Sequence, residues 1–541
     1  MRLSDVREVA AAPWDAIVIG TGMGGATFGY ALASSGWKVL FCEKGLARGA
    51  EDIAGQYPES LFDAKVQLRS EHAQVLRRAG RCSDSIEDRS KARSFVPFIG
   101  CGAGGSSALY GMAMERLFPA DFTPAASHHD ATGATHPDAW PISYDELAPH
   151  YGAAERLYRV RGGQDPLRAD SADLAPPPPF TAAAASLIRH LEARGLHPYR
   201  LPCACEYVAD CQTCQGFLCQ NDCKNDSARV CLKPALERHG AVLVDDCEVV
   251  RLRASRRTVD TVECLVRGSP VSLKGRIVVL AAGALVTPVV LLRSTSADWV
   301  DGLANGSGLV GRNLMRHLLD LYALQPPDGP ASDNRAKELA FNDFYLRDGT
   351  KLGTVQSFGR LPPVDMVLQS LLEDVRAGRL RWGTPVARGA LTLLRPGLER
   401  LIGERMILAA TMEDLPYSDN RVEPSGNRPR GIAMRYEVRT YERSRIARFR
   451  SMMKAALKPL RFRLLGQIDR NERIAHACGT CRFGDDPSSS VLDRNCRAHE
   501  LDNLYVVDSS FFPTSGGTNP SLTIAANALR VAAVLGGTKS R

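Results

Sequence analysis

The chain has 541 residues, 44% hydrophobic and 24% charged, which describes a globular protein with too much chain for one core. Its net charge of +8 is modest and its arginines are dispersed, so a nucleic-acid binder is not expected. No apolar run reaches eighteen residues, and Met1 to Pro13 carries neither an apolar core nor twin arginines, so no membrane span or export signal is predicted and the expected location is cytoplasmic.

The first element is a short apolar run, Ile17 to Ile19, of the kind a buried parallel strand shows. Gly20, Gly22 and Gly25 then fit G-x-G-x-x-G, with Gly24 inside the loop. A helical pattern follows to Ser35, and a second apolar run, Trp37 to Cys42, ends in Glu43, eighteen residues after Gly25. Strand, glycine turn, helix, strand and acid make a dinucleotide fingerprint. Gly20 permits the turn, Gly22 lets backbone approach a pyrophosphate, and Gly25 lets helix and strand close up. The free N–H groups of the helix start favour phosphate, and Glu43 is placed to accept from ribose hydroxyls. The loop alone does not separate FAD from NAD.

Residues 45–94 read as a polar, arginine-rich excursion with helical parts. A second glycine-rich segment, Gly100 to Ser107, includes Gly104, Gly105 and Ser106; its small residues let backbone lie against something flat or charged. A flexible loop is the bland alternative. Ser143 is a predicted N-cap with Glu146 at the capping-box position, starting a helix to about Leu157. Asp173 to Pro179 is a proline-rich linker, and Thr181 to Arg194 a second amphipathic helix.

Seven of the 15 cysteines fall between Cys203 and Cys231. In a reducing compartment such crowding points to metal before disulfides. The core spacing is C-x₂-C-x₄-C-x₃-C, over Cys211, Cys214, Cys219 and Cys223. Four thiolates so placed suit zinc or an iron–sulfur cluster; loosely packed thiols or local disulfides are the alternative, since the spacing matches no standard ferredoxin run. A short helix over Lys233 to His239, strands at Ala241 to Val244, Glu248 to Leu252 and Ile277 to Ala284, and a helix through Leu292 return to an α/β core. From Asp320 to Arg470 short alternating segments, among them Gly353 to Ser357 and Ile432 to Val438, predict a separate antiparallel sheet. Helices at Val364 to Leu380 and Tyr441 to Leu465 are expected to cover it. A buried strand, Leu504 to Val507, then ends in Asp508, and a closing helix runs from about Ser521.

The C-terminal text carries a family resemblance. His476-Ala477-Cys478-Gly479-Thr480-Cys481 is followed by Asn503 to Ser510 and by Pro513-Thr514-Ser515-Gly516-Gly517-Thr518-Asn519-Pro520. With the loop at Gly20, Gly104 to Ser107, Ala281 to Pro288, Val310 to His317 and Glu413 to Pro416, this order resembles the glucose–methanol–choline (GMC) oxidoreductases, flavoproteins that oxidise alcohols. The resemblance implies an α/β fold: a discontinuous Rossmann-like FAD-binding domain over 13–319, with insertions at 45–94 and 200–231, a substrate domain with a helix-covered antiparallel sheet over 320–470, and a return to the FAD domain over 471–541. It also resolves the cofactor as FAD, expected to be non-covalent.

Alcohol oxidation removes a hydroxyl proton and a hydride from one carbon. The flavin takes the hydride. The protein supplies a base working near neutral pH and a group that holds the substrate oxygen. His476 and Asn519 match the family's His and Asn pair at these jobs; Asn519 also suits a cap for the following helix. His499 is a weaker candidate base, and His317 falls in a motif usually read as structural or flavin-adjacent. The resemblance places Asp508 at the FAD ribityl chain, where a turn-forming Asp is the alternative, and the Val249 backbone at the adenine. Tyr110 stands where many relatives have Asn, which removes a polar contact usually made there. Cys478 and Cys481 read as buried packing residues. The implied activity is oxidation of a CH–OH group on a sugar, aminosugar or other small alcohol, with oxygen or a redox partner as acceptor. The alternative is a dehydrogenase subunit passing electrons through an iron–sulfur cluster in the cysteine segment. An NAD-dependent reductase would leave the segments after residue 470 unexplained.

Overall fold

In this computed structural model the described residues are 3–47, 54–61, 69–170, 172–328, 337–359, 405–428, 430–469, 474 and 476–539. The apolar run at the start forms the strand Trp14–Ile19, central to a five-stranded parallel sheet. Its neighbours are Val39–Cys42 on one side and Gly275–Leu280 on the other, with Val242–Val244 and Leu504–Val506 at the edges. Ile17 pairs with Leu40 and with Val278. Both faces of these strands are buried, as a parallel sheet between helices requires. The helix Met23–Ser34 packs against the closing helix Ser521–Lys539. At the carboxyl edge the chain leaves through Gly20, Glu43, Ala281 and Val507, each tied to the neighbouring strand by a backbone hydrogen bond of 2.8–3.1 Å. In open α/β sheets this edge is where ligands bind.

A second sheet has six antiparallel strands in the order Phe462–Gly466, Leu318–Leu324, Met406–Met412, Gly353–Ser357, Leu339–Phe341, Tyr199–Arg200. The helix Thr440–Leu457 buries Ile446, Phe449 and Met453 against Leu318, Tyr322 and Leu408 of this sheet. Three features differ from the sequence expectation. The edge strand Tyr199–Arg200 comes from far upstream, too short to show a period. Ile432–Arg435 joins another sheet, where it pairs with Arg421–Pro424 and runs parallel to Ile86–Asp88 of the polar excursion. The predicted helix to Leu465 also ends at Leu457, and the chain returns as a strand. The expected helix over Val364 to Leu380 lies outside the described residues.

Ser143 caps the helix Tyr144–Leu157 with a full capping box to Glu146, and Thr181 caps Ala182–Ala193. Among the described residues no helix is long and apolar enough to cross a membrane.

Candidate active site

The glycine loop leaves room in one place only. A Cβ on Gly20 would meet Ala281 O at 2.4 Å, on Gly24 it would meet Val507 O at 2.0 Å, and on Gly25 it would meet Gly20 O at 2.2 Å. A Cβ on Gly22 would meet nothing within 4 Å. Gly22 is also the N-cap of Met23–Ser34, and no side chain caps that helix. Open ground over an uncapped helix start fits a pyrophosphate. Glu43 sits beside the loop, fully engaged with it: Thr21 donates to Oε2 through its amide (3.1 Å) and hydroxyl (2.6 Å), and Gly45 N–H donates to Oε1 (2.9 Å). Burial pushes the Glu43 carboxyl up, against those donors. Val249 is in the strand Cys247–Ser255, whose first N–H donates to Glu43 O at 2.9 Å and whose register slips between Val249 and Arg251.

The second glycine segment is ordered. Gly104 takes φ +86° at the start of a 3₁₀ turn, Gly105–Ala108, and Gly105 lies against Gly22. Ser106 Oγ accepts from Gly100 N–H at 3.0 Å, and Ser107 joins Ser227, whose hydroxyl donates to Thr21 O at 3.0 Å. Asp508 is buried and bridges strand end to helix start: Ser510 N–H donates to Oδ1 (2.8 Å), while Gly283 N–H (2.9 Å) and the Thr287 hydroxyl (2.5 Å) donate to Oδ2. The turn-forming role is thus present.

His476 lies against His317, which reaches back to Gly516 in the loop that carries Asn519. His476 is half-buried, with a left-handed backbone at φ +61°, which a non-glycine residue seldom adopts. Its Nδ1 lies 2.8 Å from His317 Nδ1, and His317 Nε2 lies 2.9 Å from Gly516 O. A carbonyl only accepts, so His317 Nε2 carries the hydrogen. In the neutral ring its Nδ1 is then bare and accepts from His476 Nδ1–H. That leaves His476 Nε2 as the unprotonated nitrogen. Burial pushes the His476 pKa well below its usual value, and the positive charge of Lys337 adds to that. Asn519 is buried, and its Oδ1 accepts from Gln356 Nε2 at 2.6 Å. The loop holding Asn519 is braced from behind: Gly517 N–H donates to the Tyr345 hydroxyl (2.9 Å), which donates to Asp121 (2.6 Å), and buried Lys351 pairs with Asp121 and Glu413 at 2.6 and 2.9 Å.

Profiles of the GMC oxidoreductases match residues 14–319 and 416–528. The chain belongs to the GMC oxidoreductases. It is 29% identical to paromamine 6'-oxidase of Streptomyces fradiae, over 97% of this chain and 91% of that protein. It is 30% identical to 6'''-hydroxyparomomycin C oxidase of Streptomyces lividus, over 96% and 90% of the two chains. The crystal structure of pyridoxine 4-oxidase from Mesorbium loti superposes with a TM-score of 0.63 at 20% identity, covering 96% of this chain and 99% of that one, which shows a shared fold. This GMC oxidoreductase is therefore an FAD-dependent oxidoreductase that acts on alcohols.

Elsewhere in this oxidoreductase, His499 is held apart from the pair by Ser490, with its Nε2 2.8 Å from Ser490 Oγ. Tyr110 turns from the cleft and donates to Asn225 O at 2.6 Å. Cys478 and Cys481 are buried packing residues. In the cysteine segment Sγ of Cys205, Cys211 and Cys223 lie within 4.8 Å of one another, so Cys205, rather than Cys214, joins Cys211 and Cys223. Cys219 Sγ lies 3.5 Å from Cys223 Sγ. No disulfide forms among the described residues. Sequence reasoning passed over Gln356 and Glu115. Neither stands in a motif, and the partner of each is 241 residues away with no local signature.

Proposed function

We propose that this enzyme oxidises a CH–OH group of a sugar, aminosugar or similar small alcohol to the carbonyl, with His476 as base and Asn519 holding the substrate oxygen. The observation that carries this is the chain His476–His317–Gly516, which leaves His476 Nε2 free to take a proton. The residues fit the cofactor: open space over Gly22 suits the pyrophosphate, and Gly104 to Ser106 form the second wall. Asp508 and the Val249 backbone are assigned to the ribityl chain and adenine, and Glu43 to the ribose, on the family resemblance. FAD, when bound, supplies the hydride acceptor. His476 Nε2 takes the hydroxyl proton as the carbon gives up its hydride, a contribution of about 10²–10⁴-fold. Asn519 donates an amide N–H to the substrate oxygen as charge develops there, and does not compete for the proton. The two Streptomyces relatives, named for oxidising paromamine and 6'''-hydroxyparomomycin C, support an aminosugar substrate in natural-product biosynthesis.

The test is anaerobic reduction of the purified flavoprotein with sugars, aminosugars and polyols, paromamine among them, followed by admission of air. At least one of these alcohols bleaches the wild-type flavin, and H476A and N519A retain FAD but are bleached about 10²-fold or more slowly. Flavin that no such alcohol reduces, or reduction of H476A at the wild-type rate, overturns the reading. Reoxidation by air separates an oxidase from a dehydrogenase.

A second reading, electron transfer through an iron–sulfur centre to a partner, is favoured by one observation, the thiol group of Cys205, Cys211 and Cys223.

A further inference from the structure

The amide of Asn519 has two faces that a single flip exchanges: an acceptor oxygen and a donor nitrogen. Only the donor face serves the oxygen of an alcohol that is losing its proton. Nothing in Asn519 itself selects that face. The surrounding hydrogen bonds do, and they start from a carboxylate.

Glu115 is buried, 6% exposed. Three donors converge on it. The Tyr199 hydroxyl donates to Oε1, the Thr518 hydroxyl donates to Oε2 at 3.1 Å, and Gln356 Nε2 donates to Oε2 at 2.6 Å. Tyr199 is itself fixed as a donor, because its oxygen already accepts from Asn342 Nδ2 at 2.8 Å. Burial pushes the Glu115 carboxyl up, and the Tyr199 and Thr518 donors oppose it; three donors and no acceptor at one carboxyl group favour its acceptor-only form. Gln356 must then turn its NH₂ end to Glu115. That same nitrogen lies 2.6 Å from Asn519, so its second hydrogen is given there, and Asn519 must answer with Oδ1. Reversing Gln356 would set oxygen against oxygen, and reversing Asn519 would set N–H against N–H, inside a buried network. The Nδ2 of Asn519 is left without a hydrogen-bond partner among the described residues, and it is not among the fully buried unpaired atoms.

We infer that Glu115, acting through Gln356, fixes Asn519 with its N–H groups toward the substrate oxygen, so that Glu115 and Gln356 are positioning residues for the oxidation. The inference rests on the proposed role of Asn519. It mirrors what Gly516 O does through His317 for His476: each member of the pair has its polarity set by a group one residue removed from the substrate.

The experiment is a double-mutant cycle on the FAD-loaded enzyme, read as the anaerobic flavin-reduction rate with whichever alcohol of the panel above reduces the wild type fastest. N519A lowers the limiting rate about 10²–10³-fold, as loss of a transition-state donor does. Q356M, which fills the space without hydrogen-bonding, lowers it about 10–100-fold and leaves the half-saturating concentration nearly unchanged. In the N519A background Q356M has no further effect, because there is no longer an amide to orient. Isosteric E115Q, whose amide can present either end to Gln356, loses about ten-fold while keeping its FAD; it carries the test if Q356M does not hold the cofactor. A Q356M or E115Q loss of equal size with and without Asn519 overturns the positioning role and leaves the role of Asn519 standing. An N519A enzyme as fast as wild type overturns both, and is recognised by that single variant.

Discussion

His476 combines a strained backbone with a neutral ring. A non-glycine residue at φ +61° costs about 1–3 kcal/mol, held here by the Cys478 to Met315 bridge and by the ring's bond to His317. The pKa direction has a kinetic consequence. A base whose pKa is pushed below its usual 6.5 stays unprotonated as the pH falls through 6.5, and loses function only when the pH passes below its own shifted value. The rate of flavin reduction is therefore expected to be flat across pH 6.5–8 and to fall only on the acid side of that window. Lys337 is the charge that presses on it. An acid limb centred at or above pH 6.5 would mean that the ring is not desolvated as the structure has it.

The start of the helix Met23–Ser34 makes a different claim, about space. Gly24 and Gly22 sit two residues apart, yet a methyl group meets backbone at 2.0 Å on the first and nothing on the second. G24A should push the helix from the strand end at Val507 and cost the apoprotein about 1–3 kcal/mol or more, since backbone yields less than a side chain. G22A should leave apoprotein unfolding unchanged and lower only FAD occupancy. Thermal unfolding of the apoproteins, with flavin content measured separately, distinguishes the two. Equal effects on both would mean that the ground over Gly22 is not the cofactor's. Elements of this kind were legible in the sequence because their causes are local. The glycine spacing, the Ser143 and Thr181 caps and the apolar strand runs depend on neighbours within a few residues. The edge strand Tyr199–Arg200 and the partner of Ile432–Arg435 were not legible, because two-residue pairing and sheet membership are set by where distant chain arrives. The candidate pair His476 and Asn519 was legible through its flanking motif. The groups behind it, His317, Gln356 and Glu115, were not assigned those roles, since hydrogen-bond direction is a property of the assembled network.

Across the whole molecule the cysteine segment is fastened to the wall of the FAD cleft. Buried Lys224 donates to Ala108 O at 2.8 Å and to Phe217 O at 3.0 Å, and Tyr110 donates to Asn225 O. The segment therefore packs directly behind the turn Gly105–Ala108 and beside Met112 and Ala113. A tetrahedral thiolate site with metal–sulfur bonds near 2.3 Å places its sulfurs about 3.8 Å apart. Cys205 and Cys211 stand at 3.7 Å, Cys219 and Cys223 at 3.5 Å, and Cys211 and Cys223 at 3.2 Å, so little movement would bring them round a metal. Their mutual hydrogen bonds pull the Cys211 and Cys219 thiols down and push Cys205 and Cys223 up, so a metal would still have to displace the protons that Cys205 and Cys223 keep. On the electron-transfer reading, protein prepared without air carries iron and acid-labile sulfide in stoichiometric amount, and C211S loses both while keeping FAD and its reduction by substrate. Zinc in place of iron makes the segment a structural clasp on the cleft wall, and the acceptor must then be reached from the flavin directly. Protein with neither metal, and with these thiols freely alkylated, ends the metal reading and leaves the alcohol oxidation proposed for His476 and Asn519 untouched.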